Sequence, residues 1–215
     1  MKIRVVCISP TDGSNGHNVA PAVAEQLGYR YVNEEIIAEA ARLAQIDPAI
    51  VAATEQRQSL MDRILERLAA AQDALGVGAF GRGSATSAQD PDARPATRDD
   101  LRSMIRAAIL EIGKAGDAVI AAHAASYALA GDPSVLRVLI TAPSGTRRAR
   151  LLQERRLLSV DADDAIEAGD RGRAEYLKSF YGIDEELPTH YDLVLNTQFL
   201  DSGAVTSTIL AAVRG

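Results

Sequence analysis

Near-continuous apolar runs recur along the chain at Ile3–Ser9, Ala118–Ala122, Leu136–Ala142 and Tyr191–Asn196, with long helical patterns between them. This alternation constrains the fold more than any other feature. Runs such as "AVIAA" (118–122) and "VLRVLIT" (135–141) leave no polar face, so each strand must be covered on both sides, as in the middle of a parallel sheet. "YRYV" at 29–32 supplies another short strand. Parallel neighbours need crossover connections, and apolar residues at three- and four-residue spacing predict helices at about 17–27, 34–45, 56–75, 99–115, 144–157, 161–181 and 201–213. The pattern is that of an α/β protein with helices on both faces of the sheet.

The stretch 76–100, "GVGAFGRGSATSAQDPDARPATRDD", breaks the alternation. It has no sustained apolar period and is rich in Gly, Ala, Ser, Asp and Pro. Because the strands on either side belong to one sheet pattern, it reads as an insertion in a single domain spanning 1–215, mobile over 76–98, and not as a linker. At 215 residues and 47% hydrophobic content the chain is large enough for one substantial core.

A net charge of −6 argues against nucleic-acid or anionic-membrane partners, which need a basic face. Cys7 is the only cysteine, so no intrachain disulfide or cysteine metal site is available, and a reducing cytoplasm fits. No segment approaches the ~18 apolar residues of a membrane span. Lys2, Lys114 and Lys178 are the only lysines, so arginine supplies nearly all the positive charge.

Between the first strand and the first helix lies "DGSNGHN", residues 12–18. A glycine-rich turn in this position lets backbone N–H groups approach a phosphate, and the helix N-terminus adds partial positive charge. Gly13, Ser14, Asn15, Gly16, His17 and Asn18 are therefore the candidate phosphate-binding residues. The full P-loop pattern also asks for a first glycine, a lysine and a Ser or Thr. Aligned on Gly16, those positions hold Thr11, His17 and Asn18, so the shape is kept while the side chains differ.

The loop with its following "EQLGYRYVNEEII" resembles the N-terminal signature of the cytidylate-kinase-like family of P-loop nucleotide kinases. "GDAVIAAHAASYAL" (116–129) is similar to the family segment in which a buried strand ends in Gly-Arg-Gly. "SVLRVLITAPSGTRRARLLQERR" (134–156) is similar to its next strand and arginine-bearing helix, and "AIEAGDRGRAEYLKSFYG" (165–182) and "YDLVLNT" (191–197) to its lid and last strand. The resemblance covers roughly 1–45 and 99–213. It implies a P-loop NTPase-type three-layer sandwich with a five-stranded parallel sheet, an acceptor-side insertion at 46–100 and a lid-like segment at 147–182. It also implies binding of ATP or a related phosphorylated ligand, with phosphate transfer to a nucleoside monophosphate such as CMP.

The same resemblance implies lid roles for Arg171 and Arg173 as catalytic cations, and acceptor binding at position 123, where His123 stands in the arginine's place. Histidine cannot make arginine's bidentate phosphate contact. His17 is likewise a poorer cation than lysine, and a neutral helix-start histidine is its alternative reading; a satisfied buried histidine is the alternative for His123. Magnesium is implied by the resemblance, but its site is degraded: Asn18 replaces the usual hydroxyl and no carboxylate ends "AVIAA". Seven arginines between 147 and 173, Arg147, Arg148, Arg150, Arg155, Arg156, Arg171 and Arg173, either close over a triphosphate or decorate a solvated surface beside Glu154, Asp161, Asp163, Asp164 and Asp170. Two further functions stay open: a catalytically inactive nucleotide-sensing or assembly protein on the kinase fold, and a homo-oligomer using the 56–75 helix as its contact.

Overall fold

The computed structural model describes residues 2–33, 98–122, 125–155 and 159–215. The predicted helices at 34–45 and 56–75, His123, Arg156 and, apart from Arg98, the 76–98 insertion lie outside these residues. The chain divides into two compact units, one of residues 1–34 and 112–215 and the other of 35–111. The first unit carries the sheet. The elements are β1 (Val5–Pro10), α1 (Gly16–Leu27), β2 (Arg30–Asn33), α2 (Arg98–Ala115), β3 (Ala118–Ala121), α3 (Ala125–Ala128), β4 (Val135–Thr141), α4 (Ser144–Arg155), α5 (Ser159–Tyr181), β5 (Leu193–Asn196) and α6 (Ser202–Arg214), with a 3-10 turn at Pro188–His190 before β5. Among them no helix is long and apolar enough to cross a membrane.

All strand pairs are parallel, in the order β2-β3-β1-β4-β5. β1 is central, with Val5 opposite both Ala118 and Val135. Both of its faces are covered, as its unbroken apolar sequence requires: Val6 and Ile8 join Val19 and Val23 of α1 and Val205 and Ile209 of α6 in one cluster, while Val5 and Cys7, pointing the other way, are also fully buried. Burial pushes the Cys7 thiol pKa far above its ordinary value. The fold is therefore α/β of P-loop NTPase type, a parallel sheet flanked by helices.

Connectivity sets one end of the sheet apart. After β1 the chain builds outward to β2, returns as β3 beside β1, and then crosses to β4 on the other side. The C-terminal end of β1 is thus the point at which the winding reverses, where open α/β sheets form their ligand crevice. The segment that leaves β1 there is the 11–15 turn.

A candidate phosphate-binding site at the end of the central strand

The turn is held in a conformation that few residues tolerate. Gly13 has φ +73°, and a Cβ there would lie 2.6 Å from the backbone oxygen of Arg147. Asn15, which precedes α1, has φ 62° with no side-chain capping bond. Asparagine is among the few non-glycine residues that adopt this left-handed region. The N–H of Ser14 donates to Thr11 O at 3.0 Å and that of Asn18 to Asn15 O at 3.1 Å. The backbone N–H groups of Gly13, Asn15 and Gly16 have no acceptor among the described residues. The hydroxyl of Ser14 is fully buried and also has no hydrogen-bond partner. Of the remaining sequence-predicted loop residues, Gly16 is buried and His17 and Asn18 are exposed on the first turn of α1.

Three arginines surround the turn, each on a different set of partners. Arg147, buried on α4, donates from Nε to Asp12 O at 2.6 Å and grips Asp170 bidentately at 2.8 and 2.7 Å. Arg150, one helical turn on, donates from Nη1 to Thr197 Oγ1 at 2.8 Å and Gly13 O at 3.3 Å, and from Nη2 to Thr197 O at 2.5 Å. Arg173, buried on α5, pairs with Glu186 at 2.6 and 2.5 Å and reaches Ser9 Oγ at 3.0 Å and Tyr191 Oη at 3.2 Å. Burial works against its charge, but the bonds and charge of Glu186 outweigh that and leave its pKa raised. Tyr191 also donates to Glu186 and lies 3.4 Å from the hydroxyl of Tyr127, itself 3.3 Å from His190 Nδ1. Burial, then hydrogen bonding within this group, raises the pKa of both phenols. Thr11, Arg147, Asp170, Arg173, Asp184 and Glu186 help to line a cavity of about 240 Å³.

The other predicted lid residue sits differently. Arg171 is exposed on α5, 3.9 Å from Glu167. The sequence singled out Arg173 but gave no reason to expect Glu186 beside it, Tyr127 next to Tyr191, or Thr197 beside Arg150. Thr197 carries no local motif, and the four residues of α3 that hold Tyr127 are too few to show a helical period. Among the described residues no three His, Cys, Asp or Glu side chains converge as a metal site.

No curated protein matches the chain. Among solved structures, an uncharacterized protein from Eubacterium ventriosum is similar over 99% of both chains, at 15% identity and a TM-score of 0.67, which speaks to the fold alone. A shikimate kinase from Acinetobacter baumannii, solved in complex with shikimate, is 10% identical over 99% of this chain and 93% of its own, with a TM-score of 0.48. The model of the cytidylate kinase-like family matches residues 5–198, which takes in the central strand, the turn, the arginines and Thr197, and by that match the chain belongs to the cytidylate kinase-like family.

Proposed function

We propose that the chain binds the phosphate groups of a nucleotide such as ATP at residues 13–18, and that transfer to a nucleoside monophosphate such as CMP is the reaction this site is built on. The observation that supports the reading is the turn itself: N–H groups of Gly13, Asn15 and Gly16 without acceptors among the described residues, beside the buried hydroxyl of Ser14, likewise unpartnered among them, at the N-terminus of α1. Unmatched donors in a tight turn are costly unless an anion or water takes them, and a helix N-terminus favours an anion. In this reading His17 and Asn18 flank the phosphates from the exposed side, His123 belongs to the acceptor side, and Arg171 lies free enough of strong partners to turn toward a bound ligand. Phosphoryl transfer asks the protein mainly for positioning and cationic stabilisation.

One observation favours a second reading, that of a phosphate sensor without turnover. Arg147 and Arg173, the buried cations nearest the turn, are each already paired with a carboxylate, Asp170 and Glu186. A thermal-shift panel of ATP, CMP, pyrophosphate and unphosphorylated nucleosides, with and without magnesium, tests both, since a ligand bound only by the folded chain raises its apparent stability. Phosphorylated compounds are expected to stabilise and nucleosides not. No shift with any phosphate compound would end the phosphate reading. Product formation from ATP and CMP then separates kinase from sensor.

A further inference from the structure

The carbonyls of Asp12, Gly13 and Ser14 form an unbroken run of three, and each accepts a hydrogen bond from a side chain outside the turn. Asp12 O takes Arg147 Nε at 2.6 Å, Gly13 O takes Arg150 Nη1 at 3.3 Å, and Ser14 O takes the hydroxyl of Thr197 at 2.9 Å. In a planar trans peptide the C=O and the following N–H point in opposite directions. Drawing these carbonyls toward α4 and the end of β5 therefore turns the N–H groups of Gly13, Ser14 and Asn15 the other way. Ser14 spends its N–H on Thr11 O. Those of Gly13 and Asn15 are the ones left without an acceptor among the described residues.

We infer that Thr197, together with Arg150, is a positioning residue: it does not touch the phosphate but holds the turn so that its N–H groups do. Thr197 is 1% exposed and lies one residue beyond β5, 183 positions from Ser14. Its hydroxyl works in both directions, accepting from Arg150 Nη1 at 2.8 Å and donating to Ser14 O at 2.9 Å, with Thr141 O the alternative acceptor at 3.2 Å. Only a side chain that both donates and accepts can do this, so serine replaces it and valine, of the same shape, cannot. Arg150 in turn closes on Thr197 O, which fixes the threonine to α4. The arginines at 147 and 150, three apart on one helix, thus address the carbonyl side of the turn from one face.

This inference rests on the phosphate reading, and the test separates the two. Wild type, Thr197→Val and Thr197→Ser are compared first without ligand, by the carbonyl carbon resonance of Ser14 and the amide resonance of Asn15, with the remaining amide spectrum as the check on fold. They are then compared by calorimetric titration with inorganic pyrophosphate. Thr197→Val is expected to move both resonances and to weaken pyrophosphate by about tenfold or more, the scale of one buried hydrogen bond left unmade, while Thr197→Ser keeps the wild-type resonances and affinity within about threefold. Unmoved resonances in Thr197→Val, wild-type affinity in that variant, or a serine variant as weak as the valine would each overturn the positioning role. Should Thr197→Val not fold, Arg150→Lys, which loses the two-nitrogen grip on Thr197, is expected to move the same two resonances, and their constancy there would overturn it equally. A wild-type chain that ignores pyrophosphate overturns the phosphate reading and the positioning role together, whereas normal wild-type binding with an unaffected valine variant overturns the second alone.

Discussion

Arg171 and Arg173 stand two residues apart on α5 and occupy opposite environments. Arg171 has a side chain 68% exposed, with Glu167 at 3.9 Å; Arg173 is 6% exposed, with Glu186, Ser9 and Tyr191 all in bonding distance. Residues two apart on a helix do not share a face, so one arginine goes to solvent and the other to the end of β1. The difference teaches that a pair of like cations in sequence is not a pair in space. Arg173 ties α5 to the central strand, and its charge is taken up by a carboxylate. Arg171 holds its charge in water, where an ion pair contributes little and a ligand could claim it.

The sharpest way to break this contrast is to strip Arg173 of its partner. Glu186→Ala leaves a guanidinium buried without a carboxylate and is expected to cost about 3–5 kcal/mol in urea unfolding. A loss near that expected at Arg171 would mean that the two arginines do not differ. The Arg147–Asp170 pair is intermediate, because Arg147 is buried but the Asp170 side chain is 48% exposed. Asp170→Asn should cost about 1–2 kcal/mol, below a fully desolvated pair and above a surface one.

The Arg137–Asp192 pair, which ties β4 to the start of β5, extends the comparison to pH. Asp192 accepts from the Arg137 side chain at 3.1 and 2.8 Å and from its backbone N–H at 2.8 Å, and these bonds, the side-chain ones foremost, hold its carboxyl below the ordinary value. A depressed folded-state pKa stabilises above the unfolded value, about 3.9, and that contribution disappears as pH falls through the lower folded value. The stability gap between wild type and Asp192→Asn should therefore be constant from pH 7 to about 5 and close as the solution is made more acid. A gap unchanged at pH 3 would show that the charge of Asp192 is not what matters. Smallest of all, Arg171→Ala should leave stability within about 0.5 kcal/mol of wild type. Any loss of ATP affinity in that variant then reports on the ligand and not on the fold.

The same contrast explains what could be read from sequence. The sheet was legible because each strand states its own burial: β1, β3 and β4 carry apolar residues on both faces, and the structure keeps them within a residue or two of the expected bounds. The turn was legible for a similar reason, since Gly13 and Gly16 lie between a strand and a helix, and local chemistry is enough to mark that. The surroundings of the turn were not. Which arginine goes inward depends on helix phase, and its partner depends on tertiary neighbours: Glu186 lies 13 positions beyond Arg173, and Thr197 lies 183 beyond Ser14. Neither separation leaves a spacing to find. Asp201 is the opposite case, a helix cap that accepts from the Ala204 N–H at 2.8 Å and is itself the first residue of the predicted 201–213 helix.

Cys7 gives the central strand a chronometer. Its thiol is the only one in the chain, lies with no exposed surface between β3 and β4, and is held strongly protonated by burial. Since the thiolate is the form that alkylates, the native chain should be inert to iodoacetamide, and labelling should proceed only through openings that pull β1 out of the sheet. The rate of mass gain would then count those openings one molecule at a time, without a probe having to be engineered into the strand from which the glycine-rich turn departs.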